Sequence, residues 1–126
     1  MERLMVSFRG HRFLDRCDLA NNLFLRMRGL IGRSELLSGE GILIKPCNSV
    51  HTCFMRFAID VLFLDGKKSV LHIEHSMQPW RFSRIVFGAK SVLELRAGTA
   101  KAIGVVRGDV LAIEASVNGK SCDYIG

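Results

Sequence analysis

The architecture of this chain is best predicted from one segment, Ala58-Ile59-Asp60-Val61-Leu62-Phe63-Leu64-Asp65-Gly66-Lys67. Residues 58–64 are apolar on both faces except for one carboxylate, which is typical of a central strand. The following Asp-Gly pair is a strong hairpin signal, so residues 69–77 are predicted to return as the antiparallel partner. The chain is therefore built around a β-hairpin whose first strand is buried.

Working outward, apolar and alternating runs predict further strands at residues 3–9, 41–45, 50–55, 85–87, 92–96 and 110–117. One helix is predicted to begin at the N-cap Asp18, because Leu19, Leu23, Met27 and Leu30 follow at near-helical spacing. Gly29 is suited to end this helix in a left-handed conformation. A second short helix is predicted over residues 97–104. Seven or eight short strands predict a mainly β (α+β) fold, a small β-barrel-like curled sheet with two short helices. No repeat or linker interrupts residues 1–126, so we expect one domain.

Composition limits the class of protein. The 126 residues are 48% hydrophobic and 24% charged, with a net charge of +6, which is ordinary for a globular domain apart from its basic charge. No window is long and apolar enough for a membrane span, and no export signal is apparent. We therefore expect a cytoplasmic protein whose four cysteines remain free thiols. The positive charge favours an anionic partner or simply a soluble surface.

Asp60 is the most informative single residue, because an ionised carboxylate in a doubly buried strand must be paired or heavily hydrogen-bonded. The candidate partners are Arg28, Arg56, Arg81 and His51. Two interpretations stay open. Asp60 either stabilises the fold as an ion pair or backbone clamp, or it orients a ligand or acts as a base in a pocket.

In the predicted strand at residues 50–55, His51, Cys53 and Met55 would share one face. Three soft donors of this kind suit Cu(I), or Zn(II) with Cys47 as a fourth ligand. Packing of the same side chains in a half-buried pocket wall is the favoured interpretation, so no metal site is predicted.

Two arginine-containing segments are candidate anion sites. Trp80 and Arg81 would form a flat stacking surface beside a cation, or would anchor a loop. Arg26, Arg28 and Arg33 flank two glycines near the predicted helix end. They would bind an anion there, or would simply complement the helix dipole.

Several motifs together resemble one known family. They are Arg28-Gly29-Leu30-Ile31-Gly32-Arg33, the run from His51-Thr52 through Met55-Arg56-Phe57 and Ile59-Asp60-Val61 to Phe63-Leu64-Asp65, Pro79-Trp80-Arg81, Ala97-Gly98-Thr99-Ala100 and Gly108-Asp109. The sequence is similar to the family called domain of unknown function 192 over most of its length. Ala58 departs from that pattern, in which proline is common at this position. The resemblance implies a compact β-rich fold and no settled biochemical activity.

The sequence thus predicts a small-molecule or anion-binding domain rather than an enzyme. Its expected ligand-binding residues are His51, Met55, Arg56, Asp60, Trp80 and Arg81. Two alternatives stay open: a polyanion-binding or protein-partner module that uses the Arg-rich N-terminal segment, and a weak acid–base enzyme. A nucleic acid partner is less favoured because no recognition motif is present. No cofactor can be named.

Overall fold

The computed structural model describes residues 2–22, 30–117 and 120–121. Its strands are β1 Arg3–Phe8, β2 His11–Ala20, β3 Glu40–Ile44, β4 Ile59–Leu64, β5 Val70–Met77, β6 Ser91–Arg96, β7 Ala112–Val117 and β8 Lys120–Ser121, and its described helix is α1, Thr99–Ile103. The strands form a sheet in the order β5-β4-β6-β3-β2-β1-β7, and β8 pairs with the end of β7. Strands β2 and β3 are parallel, and the other described pairs are antiparallel.

The sheet is strongly curled, so that its two ends approach each other. The Val70 N–H donates to the carbonyl of Asp109 at 2.8 Å, and the Gly108 N–H donates to the carbonyl of Val70 at 2.8 Å. These bonds join the start of β5 to the segment before β7 at one corner, without a continuous ladder that would close a barrel. The prediction of a mainly β, curled sheet is confirmed.

The curl encloses one hydrophobic cluster, here called the inner core. It takes residues from strands across the whole sheet, including Leu4, Val6, Leu14, Leu19, Leu43, Leu62, Leu93, Leu95 and Ile113. Ala100 of α1 and Val105 belong to it as well. Helix α1 follows β6 directly and packs over one end of the inner core, which confirms the second predicted helix.

The opposite face of the central strands carries an outer core. Ile59, Val61 and Phe63 of β4 lie there, covered by loop residues such as Met55 and Val86. All six residues of β4 are buried, as predicted for residues 58–64. The predicted hairpin is also present, since β4 and β5 pair in antiparallel orientation. Its turn is stabilised by Asp65, whose Oδ1 accepts hydrogen bonds from the N–H groups of Lys67 and Ser69 at 2.9 Å each.

Two predicted strands and the predicted start of the first helix are wrong. Asp18 is not an N-cap but a residue of β2, opposite Arg3 on β1 and Ile42 on β3; pairing on both sides keeps this segment extended. Residues 50–55 and 85–87 are not strands but parts of two loops that cover the outer core. Met55 and Val86 pack against the sheet, whereas Phe54, Ile85 and Phe87 are exposed, so the apolar pattern of these segments does not reflect a strand. Leu23, Met27 and Gly29 of the first predicted helix lie outside the described residues, and Leu30 is buried in the outer core.

No helix in the described ranges is both long and apolar enough to cross a membrane.

Candidate functional site

Asp60 is fully buried, and the described residues that donate hydrogen bonds to it do so through backbone amides. Its Oδ1 accepts from the Ser76 N–H at 2.8 Å, and its Oδ2 accepts from the N–H groups of Gly98 at 3.1 Å and Ala100 at 2.9 Å. Gly98 is the N-cap of α1 and has no side chain that could cap the helix. The Asp60 carboxylate, which comes from β4, accepts the hydrogen bonds that a capping side chain would otherwise accept. The backbone-clamp interpretation of Asp60 therefore matches the structure.

None of the expected basic partners that the structure describes pairs with this carboxylate. The ion pairs between described residues involve other groups, and Arg56 and Arg81 are exposed. His51 is exposed as well, and Arg28 lies outside the described residues. Three charge-assisted hydrogen bonds compensate for the buried charge in place of a cation.

We predict that Asp60→Asn lowers the free energy of unfolding by about 2–4 kcal/mol, because the amide would place an NH₂ group against buried N–H donors and leave them without an acceptor. Asp65→Asn is the matched control. Asp65 accepts both of its bonds at one oxygen, which an asparagine retains, so its loss stays below about 1 kcal/mol. Urea unfolding of both variants gives the comparison. Equal losses of unfolding free energy in the two variants would show that hydrogen-bond acceptance by both oxygens of Asp60 is unimportant for stability.

Glu94 is a second buried acid, and it was not singled out from the sequence. It lies in β6 opposite Ile42 and Val61, which places it on the outer-core face, and it is only 3% exposed. Burial raises its pKa to about 7. Among the described residues no hydrogen bond or ion pair to this carboxyl is found. Glu94 could have been identified from the sequence as a single acid within the apolar run Leu93-Glu94-Leu95. The same pattern drew attention to Asp60.

The raised pKa of Glu94 predicts a pH-dependent stability. Between about pH 4.5, where an exposed glutamate ionises, and about pH 7 the folded state binds more protons than the unfolded state. Stability is therefore highest below that window and falls as the pH rises through it, by about 3 kcal/mol for this one group. Glu94→Gln removes the titration. Urea unfolding at pH 4 and pH 8 should show the variant gaining that amount relative to the wild type, and parallel pH profiles would contradict the assignment.

Thr52 joins the two loops that cover the outer core, loop 45–58 and loop 78–90. It is fully buried, and its hydroxyl donates to the Gln78 carbonyl at 2.6 Å and accepts from the Arg81 N–H at 2.9 Å. Its own N–H donates to the Arg81 carbonyl, and its carbonyl accepts from the Trp80 N–H. These four hydrogen bonds fix the backbone on which the neighbouring aromatic residues stand.

Four rings beside Thr52 form what we call the aromatic surface: His51, Phe54, Trp80 and Phe82. Phe54 and Trp80 pack with ring centroids 4.7 Å apart, and His51 and Phe82 with centroids 6.0 Å apart. The rings are open to solvent, since Phe54 is 65%, Trp80 57% and Phe82 77% exposed. Exposed apolar residues grouped in this way are a usual mark of an interaction site.

Phe54 and Trp80 also carry backbone strain. Their φ angles are 68° and 63°, in the left-handed region that bulky side chains rarely adopt. Each residue in such a conformation costs about 1–3 kcal/mol, and such residues cluster at functional sites. Core packing does not account for either ring, because both are largely exposed. The strain therefore marks the aromatic surface as the candidate functional site.

Arginines alternate with exposed apolar residues along the same loop. Arg81 and Arg84 are exposed between Trp80, Phe82 and Ile85, and Arg56 is exposed in loop 45–58. None of the ion pairs within the described residues involves these three arginines. The aromatic surface is thus accompanied by cations that are available to an anionic ligand.

The structure separates the other predicted site residues. Met55 is buried in the outer core, while Asp60 faces the inner side of the sheet with both oxygens satisfied. His51, Cys53 and Met55 do not share a strand face, because residues 51–58 form a loop in which the His51 ring accepts a hydrogen bond from the Cys53 N–H. No group of three metal-ligating residues occurs among the described residues.

The arginine cluster predicted near residues 26–33 is only partly described. Arg26 and Arg28 lie outside the described residues. Arg33 donates to the Asp18 carboxylate at 3.1 Å, and Arg3 lies 3.6 Å from the same carboxylate. Arg33 is therefore engaged in an ion pair at the edge of β2.

The thiol of Cys17 is unreactive in this structure. It is completely buried in the inner core, and burial, with a smaller contribution from the charge of Asp18, raises the pKa of its thiol to about 12. The thiol is therefore protonated at physiological pH and is a poor nucleophile or metal ligand.

A cavity of about 530 Å³ lies away from the aromatic surface, beside β2 and α1. It is lined by His11, Arg12, Phe13, Asp15, Ser38, Gly39, Thr99, Ala102 and Ile103. None of the ligand-binding residues predicted from the sequence lines it.

Comparison with known proteins gives relatives without an assigned activity. A UPF0127 protein of Thermococcus sibiricus is 30% identical over 111 residues, which cover 84% of this chain and 71% of the relative. A UPF0127 protein of Pyrococcus abyssi is 38% identical over 98 residues, which cover 73% of this chain and 80% of the relative.

Two crystal structures share the fold. A protein of unknown function from Novosphingobium aromaticivorans has a TM-score of 0.76 at 23% identity, over 86% of this chain and 82% of that one. A putative transcription regulator from Sinorhizobium meliloti has a TM-score of 0.73 at 26% identity, over 90% and 92% of the two chains. The family model of domain of unknown function 192, described as uncharacterized ACR, matches residues 5–113. The chain therefore belongs to the domain of unknown function 192 family.

Proposed function

We propose that this domain is a binding module without catalytic activity, and that it takes a ligand combining a planar ring with negative charge. The ligand would dock on the aromatic surface, its ring against Trp80 or Phe82 and its charge toward Arg81 and Arg84. The carrying observation is that Phe54 and Trp80, the described non-glycine residues of loops 45–58 and 78–90 that have a positive φ, present their rings to solvent as a pair with centroids 4.7 Å apart.

The chemistry of the surface supports this ligand class. Aromatic rings stack on planar groups, and a guanidinium offers a planar fork for phosphate or carboxylate. A nucleoside phosphate combines both features in a small molecule. The proposal keeps the anion-binding function expected from the sequence but moves the site from a pocket at Asp60 to an open surface.

Trp80 is the only tryptophan in the chain and is largely exposed, so its fluorescence reports directly on the site. We predict that ADP quenches this emission saturably, and that adenosine and inorganic phosphate bind at least tenfold more weakly, because each carries half of the recognised chemistry. Phe82→Ala should abolish the response. Phe87→Ala is the matched control, since Phe87 is 89% exposed but forms no ring pair with another described residue. Equal effects of the two variants, or no quenching, would refute the proposal.

A pair of substitutions at Trp80 separates strain from function. Trp80→Gly should alter the free energy of unfolding by less than about 1 kcal/mol, because relief of the positive φ offsets the lost ring contact and the added freedom of the unfolded chain. Trp80→Ala loses the same ring but keeps the strained backbone, so it should be about 1 kcal/mol less stable than the glycine variant. Both should lose ADP binding, measured by calorimetry. A large loss of stability in Trp80→Gly would instead assign the ring a structural role.

A single-stranded nucleic acid is a second candidate ligand. The Trp80-Arg81-Phe82 sequence, with Arg84 close by, alternates stacking rings and cations as single-strand-binding surfaces do, and one structural relative is named a putative transcription regulator. Titration of oligo(dT) at two salt concentrations decides between the two. Tight, strongly salt-dependent binding that exceeds ADP binding would favour the polymer.

The domain is further proposed to act in the cytoplasm. Cys17 and Cys53 are free thiols in the structure, which is the form that a reducing compartment maintains.

A further inference from the structure

We propose that the cavity of about 530 Å³ beside β2 and α1, here called the β2–α1 cavity, binds a small phosphorylated sugar. Its lining residues come from β2, from the segment just before β3, and from α1, and none of them belongs to the aromatic surface. The inference therefore does not rest on the function proposed for that surface.

The size and the apolar wall of the cavity suit a small organic ligand. Pockets for such ligands commonly measure about 300–1,000 Å³ and combine an apolar wall with a few polar groups. Phe13 and Ile103 both line the cavity and pack against the inner core. Because both side chains are only half-buried, they keep apolar surface for a ligand while the inner core fixes their position. They can cover the carbon-bearing face of a sugar ring.

Two irregularities in β2 bring consecutive residues to this cavity. Compared with β1, strand β2 has an extra residue at Phe13 and another at positions 15–16. At positions 15–16 both N–H groups donate to the carbonyl of Gly39, at 3.1 and 3.0 Å. In a regular strand neighbouring side chains point to opposite faces, and a bulge breaks this alternation. His11, Arg12 and Phe13 can therefore line one cavity although they are consecutive in the chain.

Arg12 supplies the positive charge for a phosphate. Its side chain is exposed, and none of the ion pairs between described residues involves it. A guanidinium binds phosphate through two parallel hydrogen bonds, and the ring of His11 beside it can add another. The acid of the lining, Asp15, forms an ion pair with Arg16 at 3.4 Å. The charge of Asp15 is therefore balanced by Arg16, and that of Arg12 is left for the ligand.

The remaining polar residues of the lining suit sugar hydroxyls. A carboxylate such as Asp15 accepts hydrogen bonds from hydroxyl groups, and the hydroxyls of Ser38 and Thr99 can both donate and accept. Asp15 lies three residues from Arg12 on β2, so their Cα atoms are separated by about 10 Å or less. A sugar phosphate can span that distance with its phosphate at Arg12 and a hydroxyl at Asp15, whereas inorganic phosphate cannot.

Calorimetric titration with glucose 6-phosphate and ribose 5-phosphate tests the cavity. At least one of the two should bind saturably with one-to-one stoichiometry. Glucose, ribose and inorganic phosphate should each bind at least tenfold more weakly, because each lacks part of the recognised chemistry. No saturable binding of either sugar phosphate, or inorganic phosphate binding just as tightly, would overturn the proposal.

Charge reversal locates the phosphate. Arg12→Glu should weaken sugar phosphate binding at least tenfold. The matched Arg107→Glu should leave it unchanged, because Arg107 is also exposed but does not line the cavity. Equal effects of the two reversals would contradict a phosphate site at Arg12.

Filling the cavity is a second, independent test. Ala102 lines the cavity and is exposed on α1, so Ala102→Trp should block it without disturbing the inner core. This variant should lose sugar phosphate binding, Ala102→Ser should retain it, and both should unfold at the urea concentration of the wild type. Unchanged binding in Ala102→Trp would overturn the proposal.

The two proposed sites are distinguished by exchanging the variants. Trp80→Gly should bind the sugar phosphate normally, and Arg12→Glu should retain the quenching of Trp80 by ADP. Loss of both ligands in either variant would contradict two separate sites.

Discussion

The buried carboxylate of Asp60 connects parts of the chain that would otherwise be independent. From the start of β4 it accepts hydrogen bonds from Ser76 near the end of β5 and from Gly98 and Ala100 at the beginning of α1. The helix covers the inner core at that end, and no other side chain in the described ranges accepts a hydrogen bond from its first amides. Because the charge is fully used in this way, Asp60 serves the fold and is not available to a ligand.

The position of β4 explains why the chain presents a surface of loops. All six residues of β4 are buried, so both faces of the sheet need cover. The curl covers one face, and loops 45–58 and 78–90 cover the other through residues such as Met55 and Val86. Thr52 then ties the two loops together. A rigid loop pair of this kind can hold side chains outward in a fixed geometry, which is the requirement for a binding surface.

Positive φ angles occur at five of the described non-glycine residues. Among the described non-glycine residues with positive φ, Arg9 lies in the tight β1–β2 turn beside Gly10, and Ser76 gives its N–H to Asp60. Lys68 likewise lies at the end of the tight β4–β5 turn. Phe54 and Trp80 remain, and their rings stand paired at the aromatic surface.

Local sequence pattern was enough to predict the sheet class, the buried hairpin around Asp65-Gly66, the sequestration of Asp60 and the short helix after β6. A doubly apolar run with one acid, for example, has few structural solutions. The three-dimensional arrangement was needed to show that Asp18 lies in a strand, that residues 50–55 form a covering loop, and that the described donors to Asp60 are backbone amides. It was also needed to show that Trp80 pairs with Phe54 and that Arg12 shares a cavity with Thr99. The physical reason is that strand pairing, loop packing and the choice of hydrogen-bond partner depend on residues far apart in the chain, which no local pattern specifies.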